Sequence, residues 1–122
     1  MLVTKLNAIM KVIINKLIPF KGYKSITFYP FIFARKKLSD IDYNHESIHA
    51  EQQKELLLIF FFILYLLEYI IKLAITFNYD RAYKSISFER EAYRFEHDMK
   101  YISERKRYNW IKYIFKLSKY GS

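Results

Sequence analysis

The chain of 122 residues contains no cysteine. That excludes a disulfide framework and a thiolate metal site, so any metal would have to be held by histidine and carboxylate. It also suits a reducing compartment. Glycine and proline number two each (Gly22, Gly121, Pro19, Pro30). A sandwich or barrel needs many tight turns built on those residues, so the scarcity reads against an all-β fold. Acid is missing from both ends: every Asp and Glu lies between Asp40 and Glu104, while 1–39 carries eight basic residues and 105–122 carries six. There is no glycine-rich phosphate loop, no GxSxG and no nucleic-acid motif.

What is present is apolar and basic. Apolar residues make up 52% and aromatics 20%, enough for a sizeable core and incompatible with a disordered or low-complexity chain. The length fits one domain, 1–122, with basic amphipathic arms at both ends. The net charge of +9 favours an anionic partner, nucleic acid or a lipid surface, with plain solubility as the competing explanation. Acids dilute the middle of the chain and no motif supports nucleic acid, so the lipid surface is the stronger expectation.

Residues 2–18 read as an amphipathic helix stopped by Pro19, with Leu2, Leu6, Ile9, Ile13 and Leu17 at helical spacing. Its scattered lysines and the lack of a small-residue cleavage site read against a signal peptide. Residues 24–29 and 31–35 are β-branched and aromatic and read as two extended stretches meeting at Pro30. A helix then starts near 41–44, with Asp40 or Asp42 as its cap, and runs without a breaker to Phe77. Glu68 and Lys72 stand i, i+4 and should pair. Asn78 is the first turn signal. Ser85 or Ser87 should cap a further helix through Arg107, and the tail 109–119 repeats the basic amphipathic pattern. There, Trp110 with Lys112, Lys116 and Lys119 reads equally as an interfacial anchor or as core packing. The expected fold is mainly α with a short N-terminal β element.

His45-Glu46-Ser47-Ile48-His49 is HExxH. On a helix, His45 and His49 project from one face and can ligate one Zn²⁺, with Glu46 placed to take a proton from a water. Zinc needs a third protein ligand. His97 is one candidate, but the HExxHxxGxxH spacing is absent and its acidic neighbours suggest a surface histidine. A carboxylate from Phe88-Glu89-Arg90-Glu91-Ala92-Tyr93 is the better one. Glu89 and Glu91 point about 200° apart on a helix, so only one can face the metal. Gln52 and Gln53, one turn past His49, are candidates for touching a substrate or a ligand's partner, with cap or surface roles equally open, and Tyr93, Tyr101 and Tyr108 are candidates for donating to an oxyanion.

HExxH followed by a helix with E-x-x-A resembles the gluzincin clan of zinc metallopeptidases, notably the membrane-associated peptidases that cleave prenylated proteins and the related heat-shock and mitochondrial quality-control proteases. Residues 18–115 also resemble a family of short bacterial zincin-like proteins, through the stretch from Asn44 to Glu55 and the FEREAY box. The resemblance implies a zincin-like α+β fold: a long HExxH helix, a second helix carrying the third ligand, and Zn²⁺ on His45, His49 and Glu89. It also implies hydrolysis of peptide bonds in a peptide or protein substrate, with Glu46 as general base. Where those families have a ligand-orienting Asp, this chain has Tyr93, so the partners of the ligands must differ.

Residues 56–77 rise about 33 Å, enough to span a hydrocarbon core of about 30 Å. His49 precedes this segment and Glu89 follows it. If one chain supplies all three ligands, both ends lie on one side and a single full crossing is excluded. Either the helix runs to Phe77 and the chain returns extended, or it bends near Glu68–Lys72. The segment is then core, lies in one leaflet, or pairs with a second copy in a homo-oligomer. The expected location is cytoplasmic, peripheral or monotopic at an anionic inner-membrane surface.

Overall fold

The computed structural model describes residues 10–119. It is mainly helical with a small three-stranded sheet, as expected. The strands are β1 (Lys11–Ile14), β2 (Ser25–Phe28) and β3 (Phe31–Ala34), in the order β1-β3-β2. β2 and β3 form an antiparallel hairpin around Pro30, with Ile26 opposite Phe33, so the two extended stretches lie where the sequence puts them.

β1 is a correction. The amphipathic helix expected over 2–18 is, across Lys11–Ile14, a strand parallel to β3, with Val12 opposite Ile32; residues 2–9 lie outside the described residues. The run Val12-Ile13-Ile14 is β-branched, and an open sheet edge decides the matter over apolar spacing. Asn15 then ends the strand: its Oδ1 accepts from the backbone N–H of Leu17 and Ile18 at 2.8 and 2.7 Å.

The helices are α1 (Asp40–Glu55), α2 (Ile59–Thr76), α3 (Tyr79–Ser85), α4 (Ser87–Phe95) and α5 (Tyr101–Glu104), followed by a 3₁₀ turn at Asn109–Tyr113. The cap of α1 is Ser39, which accepts from Asp42 N–H at 3.1 Å, rather than Asp40 or Asp42. The helix expected to run to Phe77, or to bend near Glu68–Lys72, stops at Leu56. Leu57 and Leu58 take positive φ of 54° and 59°, and Leu58 N–H donates back to Gln53 O at 2.7 Å. No glycine or proline marks this break. Tertiary packing accounts for it: the turn swings Phe61 back over the centre, 4.6 Å from the Phe88 ring and 6.1 Å from His49.

α2 and α3 pack side by side, so the chain doubles back at Asn78, which caps α3 by accepting from Arg81 N–H at 2.9 Å. The start of α4 is capped neither by Ser85 nor by Ser87. Glu68 of α2 does this from outside, accepting from Ser87 N–H at 3.0 Å and from the Ser87 hydroxyl, while also pairing with Lys72 at 2.9 Å. α4 also ends early, at Phe95. Asn44 Nδ2 donates to the carbonyls of Phe95, Glu96 and Asp98 at 3.3, 2.9 and 3.1 Å, satisfying the helix terminus. The tail is no amphipathic helix. Trp110 is buried 4.7 Å from Phe88, so of its two readings the core one describes it.

Candidate metal centre

α1 carries few apolar side chains, yet nine of its residues are buried. It lies between β2 on one side and α4 on the other. That position aims His45 and His49, one turn apart, at the first turn of α4, where Glu89 projects. His45 Nε2 stands 3.1 Å from Glu89 Oε1, His49 Nε2 3.2 Å from the same oxygen, and the two Nε2 atoms 3.2 Å from each other. All three residues are buried, and their ligand atoms lie within 4.8 Å of one another, so the cluster could hold a metal ion.

The partners of these groups suit that use. His45 Nδ1 donates to Glu96 Oε1 and His49 Nδ1 donates to Gln52 Oε1, each at 2.8 Å. Both rings are thereby held with Nδ1 as the donor and Nε2 facing Glu89, so that Nε2 is the nitrogen left to carry a proton or a metal ion. Glu89 Oε2 accepts from Tyr65 of α2 at 2.7 Å, which leaves Oε1 for the histidine side. Glu96 fills the place for which the sequence offered only Tyr93; the Tyr93 ring instead meets His45 edge-on at 4.6 Å.

Glu91 points away from the histidines. It accepts from Gln52 Nε2 at 2.9 Å, from Tyr101 hydroxyl and from Arg105 Nε at 2.6 Å. Arg105 also makes a two-pronged contact with Glu55 at 2.7 and 3.1 Å. Of the two carboxylates left open by helical geometry, Glu89 therefore faces the imidazoles and Glu91 meets a basic partner. Gln52 joins the two clusters through the two ends of one amide. Gln53 sits elsewhere, accepting from Tyr29 N–H and donating to Thr27 O, each at 2.7 Å.

Glu46 faces β2. Its two oxygens accept from Ser25 and Thr27 hydroxyls at 2.8 and 2.7 Å. Sequence reasoning missed Ser25 and Thr27; they alternate with Ile26 and Phe28 along the strand, and that period of two is the signal that could have found them. Tyr65, Glu96 and Asn44 gave no comparable signal: Tyr65 lies inside an apolar run, and the other two act through chain reversals invisible in sequence. Tyr108 is remote, donating its N–H to Glu55 at 2.7 Å, and the His97 side chain is exposed, 69%.

Protonation follows the same geometry. Burial works against charge on His45, but hydrogen bonds to Glu89 and Glu96 outweigh it and raise its pKa to about 10. His49 also rises, burial being outweighed by the charge of Glu89. Burial would raise Glu89, yet the two imidazoles hold it well below the usual carboxylate range. Tyr65 is raised by burial and by Glu89, and so stays a donor.

His45, Glu46, His49 and Glu89 form one wall of a cavity of about 1050 Å³, whose other walls include Phe62, Leu66 and Phe20. No family model matches the chain, and no curated protein or solved structure matches it either.

Proposed function

We propose that this chain is a zinc-dependent metallopeptidase of the gluzincin kind, built on a zincin-like fold. The observation that carries the reading is the buried convergence of His45, His49 and Glu89, each fixed from behind by its own hydrogen-bond partner. Two imidazoles and a carboxylate are a donor set that zinc prefers and that magnesium or calcium, which favour oxygen, do not. The resemblance to known peptidases rests on the HExxH and E-x-x-A residues alone.

His45, His49 and Glu89 would hold the ion. Zinc so bound supplies a Lewis acid and lowers the pKa of a water to about 7. Glu46 takes a proton from the attacking water and returns it to the leaving amine. Ser25 and Thr27 keep the Glu46 carboxylate fixed at the cavity wall during both transfers. The cavity has room for a short peptide segment beside the site.

A second reading, a zinc-holding interaction protein without activity, draws on one observation: both oxygens of Glu46 already have hydroxyl partners. Glu46→Gln separates the two. The purified chain should contain one zinc per molecule by elemental analysis and cleave quenched fluorescent peptides. The variant should keep that zinc and lose cleavage. A wild-type chain that holds zinc but cleaves no member of a broad peptide library supports the second reading. A chain without zinc overturns both.

A further inference from the structure

α2 is built inside out. Its nine exposed residues are Ile59, Phe60, Ile63, Leu66, Leu67, Ile70, Ile71, Ala74 and Ile75, a continuous stripe at helical spacing. None of them is polar, and the eight isoleucines, leucines and phenylalanine among them are each at least half exposed. The polar side chains of the helix turn the other way: Tyr65 to Glu89, Glu68 to Ser87, and Lys72, only 4% exposed, to Glu68 and Ser85 O. A helix that hides a lysine and presents isoleucine reverses the ordinary pattern of a soluble protein. Contiguous exposed apolar patches of this kind mark interaction or membrane surfaces rather than ordinary solvent-facing helix.

We infer that this face lies in one leaflet of an anionic lipid surface. Charge selects lipid over a second copy. The chain carries +9, so two copies repel, whereas anionic headgroups attract it. A second exposed element shares the cavity rim with Leu66 of α2: the loop bearing Leu17 and Phe20, each 82% exposed. It is flanked by the exposed lysines Lys16, Lys21 and Lys24. Apolar tips set among lysines match an acyl layer beneath a headgroup layer, while a helix-to-helix dimer would leave that loop bare. Both ends of α2 return to the same body: α1 enters through the Leu58–Gln53 hydrogen bond and α3 packs back along it, so the helix lies along the surface rather than across it.

The test uses the full chain and vesicles of phosphatidylcholine, with or without phosphatidylglycerol. Wild type should float with the anionic vesicles, less at high salt and little with the neutral ones. Leu67→Glu/Ile70→Glu should lower that partition at least tenfold while keeping the zinc content of wild type, which separates this inference from the metal reading. The absence of cysteine allows a second, milder probe. An environment-sensitive dye on Ile63→Cys should shift to the blue on anionic vesicles, and the same dye on His97→Cys should not. A wild-type chain that stays in the aqueous fraction as a monodisperse dimer or monomer overturns the inference. So does unchanged flotation of the double variant together with an unshifted dye at position 63.

Discussion

The two longest helices have exchanged environments. α1, Asp40–Glu55, is polar in sequence and buries nine of its sixteen residues. α2, Ile59–Thr76, is mostly apolar and buries Phe61 and Lys72 alone. Hydropathy by itself would assign the core to α2 and the surface to α1. What decides burial in α1 is partnership: Asn44, His45, Glu46, His49, Gln52 and Gln53 all have hydrogen-bond acceptors or donors within the fold. A satisfied polar group can be enclosed at little cost, whereas an unsatisfied one cannot. Exposure in α2 has the converse cause, since its outward stripe finds no apolar surface among the described residues.

The comparison breaks most visibly at the clasp that holds α1 to α4. Arg105 is almost enclosed between Glu55 and Glu91. Arg105→Met would leave two buried carboxylates facing each other, and we expect a loss of about 3–5 kcal/mol in urea unfolding. Leu67→Gln on the outer stripe of α2 should change stability by less than about 0.5 kcal/mol in the same assay. Equal losses at the two sites would show that the stripe is buried in solution.

Next in size is the response to pH. The folded pKa of His45 is raised to about 10, so its contribution to the zinc-stripped protein is complete below the unfolded value near 6.5 and is lost as pH climbs towards 10. Glu89 is depressed, so its contribution is complete above the usual carboxylate range and is lost progressively as pH falls from there towards its lowered folded value. The stripped protein should therefore be most stable from about pH 5 to 6.5. Zinc affinity should run the other way, since the ion displaces the His45 proton: it should rise by up to about tenfold per pH unit between pH 6 and 8. Chelator-competition titrations read this directly, and a flat profile would mean that His45 carries no proton to displace.

Gln52→Leu should weaken zinc binding about 10- to 100-fold, because it removes the acceptor that holds the His49 ring in place. Glu96→Gln, which keeps an acceptor for His45, should cost less than Gln52→Leu.

The sequence carried the local parts of this arrangement. The i, i+4 histidines, the Glu68–Lys72 pair, the Asn78 turn and the hairpin at Pro30 each follow from residues a few positions apart. The rest depends on partners distant in the chain. β1 exists because β3 offers it an edge. Glu96 reaches His45 only because Asn44 ends α4 at the right place. Glu68 caps a helix nineteen residues further on, and Tyr65 meets Glu89 from within an apolar run. None of these pairings leaves a periodic trace in the sequence.

The smallest effect tests the boundary between the two helices. Leu57 is 72% exposed and holds φ at 54°, a conformation that costs a side-chain-bearing residue about 1–2 kcal/mol. Leu57→Gly relieves that strain but widens the freedom of the unfolded chain, which costs about 0.5–1 kcal/mol. The net expectation is a gain of up to about 1 kcal/mol relative to Leu57→Ala, which keeps the strained Cβ. The sign is the informative part. If α1 and α2 were one continuous helix, glycine at its middle would be worse than alanine by about 1 kcal/mol. Chemical unfolding of the two variants side by side thus distinguishes a broken helix from an unbroken one. Only the broken form lets Phe61 and Tyr65 turn back towards His49 and Glu89 while the outer stripe stays free.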